Sequence, residues 1–316
     1  MVAQKIDPLP CGFVLNEYVI ERRIGGGGFS LVYLAFDALG QRVAIKEYLP
    51  GGIVKRSNQG AVQPLTVDQA GSFRYGMKCF FEEGRSLAGV NHPNVVKVIN
   101  FFRANETVYM VMQYEEGKTL QQYIVENEQP ISESFLLGVF IPLLHGLREV
   151  HARKLLHLDI KPSNIYLRNE GAPVLIDFGA ARYALSQSQS LDYMATPMYT
   201  PGFAAPEQYQ QREVLGPWSD IYSVGATIYA CIVKSPPLAA IDRLKKDKLI
   251  PLVKSHAGLY SRVLLELVDS MLALVYTQRP QSVFSVQKNL ILLAQSGQAH
   301  KPTLFALLKE RLTRDL

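Results

Sequence analysis

The chain has 316 residues, enough for one large domain or two moderate ones, and its 48% hydrophobic content supplies a buried core. A formal charge of +5 set against 33 basic and 28 acidic side chains describes a solvated surface and gives no ground for a nucleic-acid or anionic-membrane partner. Cys11, Cys79 and Cys231 are scattered without metal-ligand spacing, which points to a reducing cytoplasm, and the longest apolar run, around Val224 to Val233, falls far short of the roughly 20 residues of a bilayer span.

In chain order, Tyr18 to Ile24, Leu31 to Phe36 and Arg42 to Lys46 are β-branched or aromatic runs separated by glycine-rich turns, and they predict an antiparallel meander. The turn Gly25-Gly26-Gly27-Gly28 would let its backbone approach a phosphate closely, because glycine has no side chain to obstruct it and accepts positive φ. A helix near Phe73 to Ala88 follows, then strands at Val95 to Phe102 and Thr107 to Tyr114. From Thr119 the period becomes helical, with apolar-faced segments at Ser132 to His151, Ser219 to Val233 and Tyr260 to Val275. Pro142 inside the first of these removes a hydrogen bond to Gly138, a loss of about 3 kcal/mol unless the helix bends, so a kink is expected there. A small β-rich part thus precedes a larger helical part, an α+β order. The short polar stretch Gln113 to Gly117 is the crossing point, and a ligand cleft is expected at it.

Four elements recur in a fixed order: the glycine turn, Lys46 ending Val43-Ala44-Ile45, the run His157-Leu158-Asp159-Ile160-Lys161-Pro162-Ser163-Asn164, and Asp177-Phe178-Gly179, with Asp177 at 177 − 164 = 13 positions beyond Asn164. On these residues the chain resembles a Ser/Thr protein kinase, of the eukaryotic-like type found in bacteria. The resemblance covers about residues 17 to 290. It implies a bilobal kinase fold with a small antiparallel β lobe carrying one main helix (17–114) and a larger helical lobe (115–297), preceded by a leader (1–16) and followed by a basic amphipathic segment (298–316). That last segment would either pack on the domain or lead to a further one.

The resemblance also implies the site. Ile24, Gly25, Gly26, Gly27, Gly28, Phe29, Ser30, Leu31 and Val32 would cover ATP, with Ser30 standing where a third glycine is usual; Ala44 and Val32 would enclose the adenine. Lys46 would hold the α- and β-phosphates and be braced by Glu83, with Glu82 as competitor. Met112 would guard the back of the adenine pocket, backbone groups of Gln113 and Glu115 would bind the adenine edge, and Tyr166 would stack on the ring rather than narrow the pocket. Asp159 would orient the substrate hydroxyl and accept its proton, a contribution of roughly 10²- to 10⁴-fold for a positioned base. Lys161 would neutralise the transferring group, and Asn164 and Asp177 would ligate Mg²⁺. His157 is expected to pack against Phe178 rather than act as a base.

Leu158 replaces the arginine that grips a phosphate on the activation segment, Ala180 to Phe203, so activity is expected not to depend strongly on phosphorylation of Thr196. Glu207 is expected to pair with Arg279, and Asp220 to brace the catalytic loop. Thr119 and Ser163, standing where arginine-seeking kinases carry acids, argue against a strictly basic target sequence. The interval from Lys46 to Glu83, 83 − 46 = 37 residues, is about twice that of the family, and the excess, Leu49 to Ser72, is a loop, a partner surface or neutral decoration. The expected activity is ATP- and Mg²⁺-dependent phosphorylation of Ser/Thr in proteins, the chain itself included. Two alternatives are a small-molecule phosphotransferase, which would lack the Thr200 to Glu207 closing segment, and a pseudokinase scaffold.

Overall fold

The computed structural model describes residues 7–178, 200–210 and 214–296. Gly179, Thr196, the polar run Ser186 to Ser190, most of the activation segment and the segment 298–316 lie outside the described residues. The described chain forms two compact units, one of residues 7–92 and 96–115, the other of residues 93–95 and those from 116 onward.

The first unit is a six-stranded antiparallel sheet in the order β1 (Val14–Leu15), β2 (Tyr18–Gly26), β3 (Ser30–Phe36), β4 (Arg42–Tyr48), β8 (Thr107–Gln113), β7 (Val98–Ala104). Central β4 and β8 are buried along almost their whole length, as strands covered on both faces must be, whereas β2 keeps several exposed positions. Helix α1 (Gln69–Ala88) buries Phe73, Met77, Phe80, Gly84 and Leu87, the spacing of one helical face. It begins four residues earlier than Phe73, because the end of the Leu49 to Ser72 insertion supplies its first turn. The rest of the insertion is a two-stranded hairpin, β5 (Val54–Arg56) with β6 (Val62–Pro64), that its sequence did not announce. Strand β7 starts at Val98 and not at Val95. Pro93–Val95 belongs to the second unit, where the Asn94 carbonyl accepts the Leu175 amide at 2.9 Å and its Nδ2 donates to the Pro173 carbonyl at 2.7 Å.

The second unit is helical: α2 (Leu120–Glu126), α3 (Glu133–Ala152), α4 (Pro206–Gln210), α5 (Pro217–Val233), α6 (Ala240–Lys245), α7 (Leu252–Ser255), α8 (Arg262–Met271) and α9 (Val283–Gln295). A small sheet, β9 (Gly117–Thr119), β10 (Ile165–Arg168) and β11 (Pro173–Leu175), accompanies them, with β10 central and antiparallel to both neighbours. Helix α5 is buried on nearly every side and is the core of this unit. Helix α3 runs as one element through Pro142; the Gly138 carbonyl left without its amide partner lies on an exposed residue, where water can replace the bond. Among the described residues α3 is the one helix long and apolar enough to cross a membrane, and half of its most apolar window is buried inside the protein.

Candidate active site

In the first unit the glycine turn closes β2 onto β3. Gly26, at φ +131°, pairs with Leu31, and a Cβ there would lie 2.6 Å from the Ser30 carbonyl, so the hairpin admits only glycine at this position. The Gly27 amide donates to that carbonyl at 2.8 Å, and Gly25 faces Val32. The loop therefore presents backbone, not side chains, from Gly25 to Gly28. Phe29 and Ser30 complete the turn, Leu31 is buried beneath it, and Ile24 is partly exposed.

Lys46 and Ala44 alternate along β4 with their neighbours. Ala44 pairs with Met112 on β8, both nearly buried. Lys46 is 5% exposed and points to α1, where its Nζ lies 3.5 Å from Glu83 Oε1 and 5.5 Å from the Phe80 ring centre. Glu82 lies on another face of the helix, half-exposed and 4.0 Å from Arg85. The Gln113 amide is taken by the Lys97 carbonyl at 2.9 Å, and Glu115 follows it, partly exposed, at the end of the unit.

In the second unit the Asp159 carboxylate is the centre of a hydrogen-bonded group. Lys161 Nζ lies 2.8 Å from its Oδ2, Asn164 donates to Oδ2 at 3.0 Å and to the Asp159 carbonyl at 2.9 Å, and Thr200 Oγ1 donates to Oδ1 at 2.8 Å. Lys161 also donates to Thr200 Oγ1 at 2.8 Å. In the sequence Thr200 marks only the start of the closing segment; the pattern that singles it out is a hydroxyl at a fixed distance before Pro206-Glu207. Asn164, 5% exposed, has its amide nitrogen engaged by Asp159, which leaves its oxygen as the group for a cation. The β10–β11 hairpin brings Asp177 to the same end, because the Ile176 amide donates to the Asn164 carbonyl at 2.9 Å. A carboxylate and an amide oxygen there are hard donors of the kind Mg²⁺ takes. Tyr166 on β10 donates its hydroxyl to the Gly117 carbonyl at 2.8 Å, and Thr119, opposite it in register, forms the capping box of α2 with Gln122.

Buried groups hold this arrangement. Asp220, at the start of α5, accepts the amides of His157 at 2.9 Å and Leu158 at 2.7 Å and a proton of His151 at 2.7 Å. Burial alone would push its carboxyl up, but those hydrogen bonds outweigh burial and hold it below the usual carboxylate range. Leu158 is buried at φ +62°, a conformation a leucine avoids; Asp220 on its amide and Gln208 on its carbonyl at 2.8 Å keep it there. His157 is fully buried against Phe178, with ring centres 4.3 Å apart. Its Nδ1 accepts the Asp159 amide and its Nε2 donates to the Ile176 carbonyl, both at 3.2 Å, and burial above all lowers its pKa, so the ring is a neutral strut between the Asp159 and Ile176 segments. Glu207 and Arg279 meet in a two-pronged pair at 2.7 and 2.9 Å with both side chains essentially buried, and Ser219 donates to Glu207 as well.

A model of the protein kinase domain matches residues 18–291. The chain belongs to the protein kinase family and has its fold. Among similar proteins, Serine/threonine-protein kinase D of Synechocystis sp. is 27% identical over 90% of this chain, PknA of Nostoc sp. 32% over 70%, and PrkC of Bacillus subtilis 29% over 71%. This chain spans 54%, 38% and 31% of the lengths of those relatives, respectively. The solved structure described as PpkA-294 apo form is 34% identical and superposes with a TM-score of 0.79, covering 90% of this chain and 99% of its own.

Proposed function

We propose that the chain is a bacterial-type Ser/Thr protein kinase that transfers the γ-phosphoryl group of ATP to hydroxyls of protein substrates, itself among them. The observation that carries this reading is the Asp159 carboxylate held at once by Lys161, Asn164 and Thr200. Asp159 orients the substrate hydroxyl and takes its proton as the oxygen–phosphorus bond forms and the bond to ADP breaks. Lys161, beside it, stabilises negative charge on the transferring group. Lys46, fixed by Glu83, binds the α- and β-phosphates, and the glycine turn offers amides to the phosphate chain. Ile24, Val32, Ala44, Met112 and Tyr166 receive the adenine, with backbone groups of Gln113 and Glu115 at its edge. Asn164 and Asp177 would hold Mg²⁺, which when bound neutralises phosphate charge.

The test is transfer of ³²P from the γ-position of ATP to the chain and to a generic acceptor protein, comparing the natural protein with Asp159→Asn. Transfer by the natural chain, reduced at least a hundredfold in the variant, is expected. Equal transfer by both proteins, or none by the natural chain with Mg²⁺ and ATP present, overturns the reading.

A further inference from the structure

The ladder between β3 and β4 does not stop where the strands do. Beyond the Ser30 and Tyr48 pair, the Leu49 amide donates to the Phe29 carbonyl at 2.8 Å and the Gly51 amide to the Gly28 carbonyl at 2.7 Å. The first residues of the insertion thus bind the tip of the glycine-rich turn. They then reverse in a turn from Pro50 to Ile53, in which Gly52 at φ +87° takes the third position of a type II turn.

The rest of the insertion is anchored below the sheet. Successive residues of a strand face opposite sides, so where Lys46 turns to α1, Glu47 turns to β5. There Arg56 grips the fully buried Glu47 carboxylate with two nitrogens, at 3.0 and 2.6 Å, while Tyr33 and Tyr109 donate to the same carboxylate at 2.8 and 2.7 Å. Burial first, and then the charge of Glu47, raises the pKa of both phenols, which stay protonated as donors. The Val62 amide ties β6 to the Asn105 carbonyl at 2.8 Å, and Leu65 returns to Ile53 at 2.9 Å before α1, the helix of Glu83, begins.

We infer that the Leu49 to Ser72 insertion is a positioning clamp for the nucleotide: through the Leu49 and Gly51 amides it holds the glycine-rich turn folded in the free protein, and through Arg56 on Glu47 it is itself held to the strand that carries Lys46. Leu49 and Gly51 are positioning residues, acting through the carbonyls of Phe29 and Gly28. This inference rests on the reading of the glycine turn as a phosphate cradle. A turn already folded loses less conformational freedom when the nucleotide arrives, and affinity gains accordingly.

The experiment compares Gly51→Pro with Gly51→Ala. Proline suits the second position of a type II turn, removes the amide donor and puts its Cδ where the hydrogen met the Gly28 carbonyl, so the two segments must part there; alanine keeps the donor, and its Cβ, 3.3 Å from the Gly28 oxygen, asks that carbonyl to give by only a few tenths of an ångström. Hydrogen exchange of residues 26–30 in the nucleotide-free protein is measured together with the dissociation constant of a fluorescent ADP. In Gly51→Pro, exchange should quicken roughly two- to tenfold and binding weaken by a similar factor, as the loss of one hydrogen bond implies, with kcat at saturating ATP within about twofold of natural. Gly51→Ala should change exchange and binding far less than Gly51→Pro. Unchanged exchange in Gly51→Pro, or an equal change in Gly51→Ala, overturns the clamp. Failure of the natural chain to bind ADP would overturn the kinase reading, and the exchange arm would still decide the clamp. Should Gly51→Pro not fold, the double variant Glu47→Gln/Arg56→Gln removes the anchor without stranding a charge. It should quicken exchange at 26–30 although neither residue touches the turn; quickening confined to 53–65 refutes the coupling.

Discussion

Replacing Thr200 with alanine removes a hydroxyl that donates to Asp159 Oδ1 and accepts from Lys161, both at 2.8 Å. Asp159 then keeps Lys161 and Asn164 on Oδ2 but loses the partner that fixes the rotation of its carboxylate. Hydrogen bonds to charged groups are worth roughly 1.5–3 kcal/mol. Water replaces part of that here, because the Asp159 and Lys161 side chains keep 19% and 22% of their exposure. A net loss of about 2 kcal/mol in the orientation of Asp159, the base of the proposed mechanism, corresponds to a fall of roughly 30-fold in kcat. Steady-state kinetics with ATP and an acceptor protein should show that fall with KM for ATP within about twofold of natural, since Thr200 touches Asp159 and not Lys46. Thr200→Ser keeps both bonds and should recover most of the rate. A Thr200→Ala protein with kcat within twofold of natural, or a serine variant as slow as the alanine one, would refute the argument.

Arg279→Met leaves the Glu207 carboxylate buried and unpaired, a loss of about 3–5 kcal/mol. Scanning calorimetry should place its melting roughly 6–20 °C below the natural chain, with Arg279→Lys between them because lysine cannot make the two-pronged contact. His157 has a pKa lowered from 6.5 chiefly by burial, against the pull of Asp220 and Asp159, so below about pH 6.5 the unfolded chain takes up a proton that the folded one refuses. Its stability contribution is full above that pH and falls by up to about 1.4 kcal/mol per unit as pH drops toward the folded value; a His157→Phe protein with the same slope of denaturant-measured stability between pH 7 and 5 would count against this. Glu83→Gln should lower kcat/KM for ATP about tenfold by weakening the hold on Lys46, whereas Glu82→Gln should stay within twofold.

The order of the glycine turn, Lys46, Asp159, Asn164 and Asp177 was legible in the sequence because each of these residues works through a short local geometry. Gly26 needs a turn that glycine alone can make, and Asn164 and Asp177 need only one hairpin between them to share an end. The choice between Glu82 and Glu83 was also within reach. Phe80, Gly84 and Leu87 define the buried face of α1, and Glu83 falls on it three residues after Phe80 and four before Leu87. Thr119-x-x-Gln122 likewise spells a helix N-terminus, a role independent of any bearing Thr119 has on substrate preference. Thr200 was less visible, since what brings it to Asp159, 41 residues earlier, is a tertiary contact with no periodicity to betray it.

The insertion shows the same limit from the energetic side. Val54–Arg56 and Val62–Pro64 are three-residue strands rich in polar side chains, too short and too polar for a period-2 pattern to register. What fixes them is a buried charge, and nothing in the sequence marks Glu47 as inaccessible or Arg56 as its partner. Burial of Glu47 becomes intelligible only once the pleat of β4 is known: the strand that must turn Lys46 toward Glu83 must turn its next residue the opposite way, into a space that would strand a lone carboxylate. Arg56, Tyr33 and Tyr109 fill that space with donors. The insertion that supplies Arg56 is therefore integral to the packing of the sheet that carries Lys46, and an account of it as neutral decoration would have to find another partner for Glu47.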